Sequence, residues 1–149
     1  MTETVHEPAY EVIWLIRRLF RALGDMADRY LKDDQLTAAH RAVMEFLYPH
    51  EELSVPVIAN KYRVSRQHVQ VTANQLLAKE LIRAVANPDH KRSPLLRLSK
   101  SGRDTFAEIR RNESALVKKL FAELHHDDIE VARRVLKSLL MRVESGELL

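Results

Sequence analysis

Residues 54 to 99 dictate the fold more strongly than any other part of the chain. Ser54 precedes a short helical stretch, VPVIANKY, and Ser65 precedes a second helical stretch after the tight link Arg63–Val64. A serine side chain accepts hydrogen bonds from the free N–H groups of a first helical turn, so each serine is predicted to begin a helix. Two helices joined this closely are typical of a helix-turn-helix.

Two short extended runs follow the second helix. They cover Leu81 to Val85 and Leu95 to Leu98, and the segment between them reads NPDHKRSP. Aliphatic runs bounded by Asn, Pro, Asp and Ser are typical of strands joined by a turn. The pattern therefore predicts a β-hairpin with a basic tip, which turns the helix-turn-helix into a winged helix.

Long amphipathic helices are predicted on both sides of this segment. Apolar residues recur at helical spacing from Ala9 to about Lys32, again from Phe106 to Leu124, and finally from Ile129 to Val143. Thr37 is predicted to begin a further helix that Pro49 ends, and Ser99 to begin the long helix that follows the wing. The fold class expected is mainly α with a small β-hairpin wing, that is, a winged helix-turn-helix flanked by N- and C-terminal helices.

Composition limits the kind of protein without naming it. The 149 residues contain no cysteine, and no apolar run approaches the roughly 18 residues of a membrane span. A soluble, cytoplasmic protein is expected. Residues 54 to 104 hold ten Lys and Arg against three Asp and Glu, whereas the rest of the chain carries an excess of four acidic residues. This segregation favours a polyanion-binding surface on a separate scaffold.

The helix that Ser65 begins combines low charge with many hydrogen-bonding side chains. Val69, Ala73, Leu76 and Leu77 have the spacing of a buried side. The outer side predicted to face DNA, together with the Ser65 end, consists of Ser65, Arg66, Gln67, His68, Gln70, Val71, Thr72, Asn74 and Gln75. Amide and hydroxyl groups read base edges in the major groove, and Val71 would touch a thymine methyl. A helix face that solvent merely wets is the alternative, but such a face usually carries Lys and Glu.

Basic residues around this helix are predicted to hold the DNA backbone or an adjacent minor groove. Their positions on the short helix, the turn and the wing suit phosphate contact. The set comprises Ser54, Lys61, Arg63, Arg83, His90, Lys91 and Arg92, with Arg97 and Lys100 as further phosphate contacts.

The order of these motifs resembles the MarR (multiple antibiotic resistance regulator) family of winged-helix transcription factors. The resemblance rests on Leu36-Thr37, on the run IANKYRVSRQHVQVTANQLLAKELI, and on the wing NPDHKRSPLLRLSKSG. Two positions depart from the family pattern. His90 stands where the wing usually has Asp, so either Asp89 substitutes or His90 makes the rigidity of the wing depend on pH. Glu80 stands where a Gly usually ends the recognition helix, so the left-handed cap is expected to be lost or strained.

The resemblance implies a homodimer on a pseudo-palindromic operator, acting as a repressor by default. It assigns residues 1–36 and 100–149 to a helical dimerisation region and residues 37–99 to DNA binding. The exposed apolar surface of the flanking helices independently favours a dimer. The alternative is an interaction module that heterodimerises with a related regulator without binding DNA itself.

The resemblance also implies a small aromatic or carboxylate effector. Residues proposed to line its pocket are Trp14, Arg17, Tyr30, His40 and Met44, although ordinary packing explains each of them as well. The sequence contains no phosphate-binding loop, nucleophile motif or metal-ligand spacing, so no catalytic residue, metal or cofactor is expected.

Overall fold

The computed structural model describes residues 7–148, which form two compact units that divide after Ile109. The first unit contains four helices, a short 3-10 turn, a small sheet and the start of a fifth helix; the second contains the rest of that helix and a sixth. The elements are α1 (Pro8–Tyr30), the 3-10 turn (Lys32–Asp34), α2 (Ala38–Leu47), β1 (Leu53–Ser54), α3 (Val55–Tyr62), α4 (Arg66–Ala78), β2 (Ile82–Val85), β3 (Leu95–Leu98), α5 (Lys100–Leu120) and α6 (His126–Glu144). In the described part of the chain, no helix combines the length and the apolar character that crossing a bilayer requires.

Three of the four predicted serine and threonine caps are confirmed. Thr37 Oγ1 accepts a hydrogen bond from the His40 N–H at 3.4 Å, and Ser65 Oγ accepts one from the His68 N–H at 3.0 Å. Ser99 Oγ accepts from the Gly102 N–H at 2.9 Å. Ser54 lies at the N-cap position of α3, but its side chain makes no capping hydrogen bond there. The predicted cap is wrong for Ser54, because this residue pairs with β3 instead.

The sheet has three strands, whereas the sequence pattern predicts two. The additional strand, β1, pairs antiparallel with β3 through Leu53↔Leu96 and Ser54↔Leu95, which gives the strand order β1-β3-β2. Its two residues carry no alternating pattern, so only the long-range pairing identifies them as a strand. The pairing fixes the start of α3 to the base of the wing.

One hydrophobic core joins α2, α3, α4, the sheet and the start of α5. Its fully buried side chains are Leu31, Val43, Met44, Leu47, Ile58, Val69, Leu76, Ile82, Leu98 and Phe106. The rings of Tyr48 and Phe106 pack with centroids 5.1 Å apart. Full burial of one such side chain contributes about 1.5–3 kcal/mol, so the core sets the positions of α4 and the wing rigidly.

The apolar sides of α1 and α6 remain largely uncovered in the single chain. Ala27 is the one buried residue of α1, while Phe20 is 75% exposed and Leu19 is 58% exposed. In the second unit, no residue of α6 is buried, and Leu136 and Leu140 are exposed. Exposed apolar stripes of this length mark interaction surfaces.

Helix α4 ends in a left-handed turn that glutamate makes in place of glycine. Glu80 has φ 57°, its N–H donates to Leu77 O at 2.9 Å, and the Leu81 N–H donates to Leu76 O at 3.1 Å. These two bonds are the pair that defines a Schellman cap. The cap is therefore kept, and the expectation that it is lost is wrong. The expectation of strain is confirmed, because a non-glycine residue at this φ costs about 1–2 kcal/mol.

Glu80→Gly is expected to raise the free energy of unfolding by about 0.5–1 kcal/mol. The substitution removes the left-handed penalty, and the greater chain entropy of glycine in the unfolded state offsets part of that gain. Chemical denaturation of both proteins measures the difference. Glu80→Ala is the control, since it removes the charge but keeps the side-chain clash. An equal gain in both variants would attribute the effect to charge and would contradict the strain explanation.

Candidate nucleic-acid interface

The outer side of α4 presents a row of polar, mostly uncharged side chains to solvent. The exposed residues are Arg66, Gln67, His68, Gln70, Val71, Asn74 and Gln75. Gln70 Nε2 donates a hydrogen bond to Asn74 Oδ1 at 2.9 Å, which fixes both amides before any partner arrives. A surface with fixed amide donors and acceptors has the chemistry that base edges require.

Thr72 does not belong to this exposed side, contrary to the sequence prediction. Its side chain is 4% exposed, and its Oγ1 donates to the backbone oxygen of His68 at 2.9 Å. Thr72 lies three residues after Val69 and four before Leu76, which are both buried. Helical spacing thus places Thr72 on the same side of α4 as these two residues. The three buried positions predicted at Val69, Ala73 and Leu76 are confirmed, and Leu77 is half-buried.

A buried histidine connects α2 to α4. His40 is 5% exposed, its Nδ1 accepts from the Thr37 N–H at 3.0 Å, and its Nε2 lies 2.7 Å from Gln75 Oε1. Because the Thr37 amide must donate, Nδ1 is unprotonated and Nε2 carries the hydrogen that Gln75 accepts. One acceptor position of the Gln75 oxygen is therefore used, and the Gln75 amide nitrogen remains available to a partner.

The tip of the wing is held by an asparagine that the sequence reasoning did not single out. Asn87 Oδ1 accepts from the Asp89 N–H at 3.1 Å, and Asn87 Nδ2 donates to Ser93 O at 2.9 Å. The described residues include no ion pair between Arg92 and Asp89, so the pairing in which Asp89 would substitute is not formed. Asn87 is followed by Pro88, and an Asn-Pro pair is typical of a turn. This pair was the sequence feature that indicated the role of Asn87 at the wing tip.

The wing and α4 enclose a cleft of about 310 Å³. Arg66, Gln67 and Gln70 line it from the helix, and Arg92 and Ser93 line it from the wing. Hydrogen-bonding side chains and two guanidinium groups thus share one open surface. Such a surface suits a ligand with a charged backbone and polar edges.

The residues predicted to contact the DNA backbone do not all lie on the surface shared by α4 and the wing. Lys61 and Arg63 are exposed at the end of α3, where Arg63 makes the tight turn with φ 60°, and His90, Lys91 and Arg92 are exposed on the wing. Ser54 is only 7% exposed, so its side chain is not available to a partner. Arg83 is exposed, but it lies on the face of the sheet opposite to the buried residues Ile82 and Leu98 that pack toward the helices.

Known proteins share this fold, and part of the chain matches a family model. The fold is that of the transcriptional regulator BldR from Sulfolobus solfataricus, with a TM-score of 0.83, 18% identity, and coverage of 94% of this chain and 99% of that one. A model of the MarR family matches residues 34–93, which run from the end of the 3-10 turn to the tip of the wing. This segment of the chain is therefore similar to the MarR family.

Two further proteins are similar to this chain over most of its length. The HTH-type transcriptional regulator MhqR of Bacillus subtilis is 20% identical over 131 residues, which cover 88% of this chain and 90% of MhqR. The Staphylococcus aureus MepR–DNA complex has a TM-score of 0.77 at 20% identity, and the match covers 87% of this chain and 96% of MepR. At these identities the structural matches establish the shared fold.

The residues predicted to form an effector pocket have different environments. Met44 is fully buried and both ring nitrogens of His40 are occupied. Trp14 is 46% exposed and stacks under the Arg18 guanidinium, whose carbon lies 4.6 Å from the ring centroid. Arg17 is exposed and Tyr30 is half-buried. Within residues 7–148, no group of three or more His, Cys, Asp or Glu side chains is placed to hold a metal ion.

Proposed function

We propose that this protein is a MarR-family regulator that binds double-stranded DNA with α4 in the major groove and the wing against an adjacent minor groove. The observation that carries the proposal is the cleft of about 310 Å³ between α4 and the wing, which joins fixed amides to guanidinium groups. MepR, which shares the fold, was solved as a DNA complex, and this supports the assignment.

The exposed residues of α4 divide into two roles. Gln67, His68, Gln70 and Val71 reach base edges, and Gln75 contributes its amide nitrogen, since amides recognise adenine well. Arg66, Lys61, Arg63, Lys91 and Arg92 hold phosphates or the minor groove, and the free N–H groups after Ser65 receive a further phosphate. Ser54, Thr72 and Arg83 are left out of the interface for the burial and position described above.

A homodimer is the second part of the proposal. The uncovered apolar sides of α1 and α6 supply the surface, with residues 1–36 and 100–149 as the dimerisation region and residues 37–99 as the DNA-binding region. A twofold dimer presents two α4 helices to a pseudo-palindromic site.

The proposed mode of regulation is repression, in which the protein occupies promoter DNA. A small aromatic or carboxylate ligand that binds near Trp14, Arg17 and Tyr30 relieves this repression. The role is binding rather than catalysis. The alternative role is heterodimerisation with a related regulator without DNA contact. The excess of seven basic charges in residues 54 to 104 favours DNA, because a protein-only module has no use for it.

Gln67→Ala and Lys91→Ala are expected to affect DNA binding differently. Removing the Gln67 amide should reduce discrimination between the operator and a mutated operator by about fivefold to 150-fold, the equivalent of one bidentate base contact. Removing the Lys91 charge should weaken binding to all DNA alike and reduce the magnitude of the salt-dependence slope by about one. Mobility-shift titrations at several salt concentrations, with DNA from upstream of the protein's own gene, measure both quantities.

Each variant serves as the control for the other, since both side chains are exposed and neither contributes to the core. Equal affinity of the wild type for operator and random DNA at about 150 mM salt would contradict sequence-specific regulation. Absence of any DNA binding would favour the heterodimer role.

A further inference from the structure

A second basic surface lies on the face of the sheet that points away from the core. Arg83 of β2 and Arg97 of β3 are directly opposite each other in the antiparallel register, and both side chains are exposed. Like charges at directly opposed positions destabilise a sheet. The pair therefore costs stability in the isolated protein, and it has no role in the core.

Two more cations reach the same place from the beginning of α5. Lys100 and Arg103 join Arg83 and Arg97 in lining a cleft of about 440 Å³, which His50 and Glu52 complete. The first turn of a helix carries partial positive charge, so Lys and Arg are disfavoured there. Strand pairing and helix polarity thus concentrate positive potential in one cleft.

The anionic groups nearby neutralise only part of this charge. Glu52 Oε1 lies 3.4 Å from Arg97 Nη1, and Arg103 Nη1 donates to Leu98 O at 3.1 Å. Lys100 pairs with Asp104 at 2.8 Å, and this hydrogen bond lowers the pKa of the Asp104 carboxyl. In the described part of the chain, the Arg83 guanidinium has no hydrogen-bond or ion-pair partner. Exposed pairs of this kind contribute little, so donors remain for a ligand.

We propose that this cleft binds a compact phosphate-bearing small molecule. Guanidinium groups match phosphate oxygens in pairs, and Arg83 and Arg97 stand side by side across two strands. No residue lines both this cleft and the cleft between α4 and the wing, although strands β2 and β3 contribute different residues to each. The proposal is therefore independent of DNA recognition, and it does not involve Trp14, Arg17 or Tyr30.

Titration calorimetry with pyrophosphate tests the site on the full chain at constant, low ionic strength. The wild type is expected to bind pyrophosphate saturably, with about one site per chain, and Arg83→Gln/Arg97→Gln should bind at least about tenfold more weakly. Arg134→Gln is the matched control, because it removes an exposed positive charge from α6, which contributes no lining residue to the cleft, and it should leave pyrophosphate affinity unchanged. Lys100→Gln provides a second test in the cleft should the double variant unfold.

Two outcomes would overturn the proposal. The first is no saturable binding by the wild type, and a loss of DNA affinity in Arg83→Gln/Arg97→Gln would then assign the cleft to DNA phosphates. The second is equal pyrophosphate affinity in the wild type and the cleft variants. Loss of DNA binding by Lys91→Ala, with pyrophosphate binding intact, would leave this site standing and bear only on the DNA interface.

Discussion

Gly102→Ala is expected to lower the free energy of unfolding by about 3 kcal/mol or more. A Cβ at position 102 would lie 1.9 Å from the Leu81 carbonyl oxygen and 2.9 Å from its carbon, both of which are backbone atoms. That oxygen also accepts from the Ser99 N–H at 3.0 Å, so it cannot withdraw without breaking the connection between α4 and α5. The gain of about 1 kcal/mol in helix propensity from alanine is too small to compensate. Urea denaturation at fixed protein concentration measures the loss.

Gly24→Ala is the matched control for this substitution. Gly24 lies inside α1, and a Cβ there would meet no atom within 4 Å. The same change is therefore expected to raise stability by up to about 1 kcal/mol through helix propensity alone. Equal effects in the two variants would contradict the close-approach explanation. Because the protein is proposed to dimerise, both variants are compared at one concentration.

Leu136→Glu is expected to convert the proposed dimer to monomer at micromolar concentration and to abolish the proposed specific DNA binding. Leu136 is 47% exposed in the single chain and lies on the same apolar stripe of α6 as Ile129, Ala132, Leu139 and Val143. A carboxylate in a hydrophobic interface loses its hydration without a partner, which costs several kcal/mol in each half of a twofold contact. Size-exclusion chromatography with light scattering should change from about twice 17.3 kDa to 17.3 kDa.

Arg134→Gln is the matched control for Leu136→Glu. It also lowers the net charge of α6 by one, but Arg134 lies on the opposite side of the helix. It is expected to leave both the mass and the DNA affinity as they are, since Arg134 is exposed and lies away from the apolar stripe. A monomeric wild type would contradict the dimer proposal. A dimeric Leu136→Glu protein would instead place the dimer contact elsewhere.

Agreement between the sequence and the structure is best where the signals are local. Thr37, Ser65 and Ser99 each cap the helix predicted for them, because the N–H groups they satisfy lie within the next turn. The bounds of α3 follow from Pro56 and the turn at Arg63 in the same way. Much of the candidate interface was therefore predictable, including the amide row of α4 and the basic tip of the wing.

Disagreement is concentrated where distant parts of the chain meet. Thr72 is buried because α4 packs against α2 and α3, and Ser54 is buried because it pairs with a strand about forty residues later. Glu80 keeps a left-handed conformation that its own preference opposes, since Leu76 and Leu81 are both anchored in the core. None of these outcomes depends on neighbours in sequence alone.

The amino-acid sequence by itself determined where helices begin and end, which helix carries the amides, and where the positive charge lies. These properties depend on residues within one or two turns of each other. The tertiary structure alone decided which of those side chains share a surface. It separated Arg83 from the recognition helix by placing it on the other face of the sheet, and it brought Arg83 together with Arg97, Lys100 and Arg103. The physical reason is strand register, which sends alternate side chains to opposite faces and is fixed by pairing between distant segments.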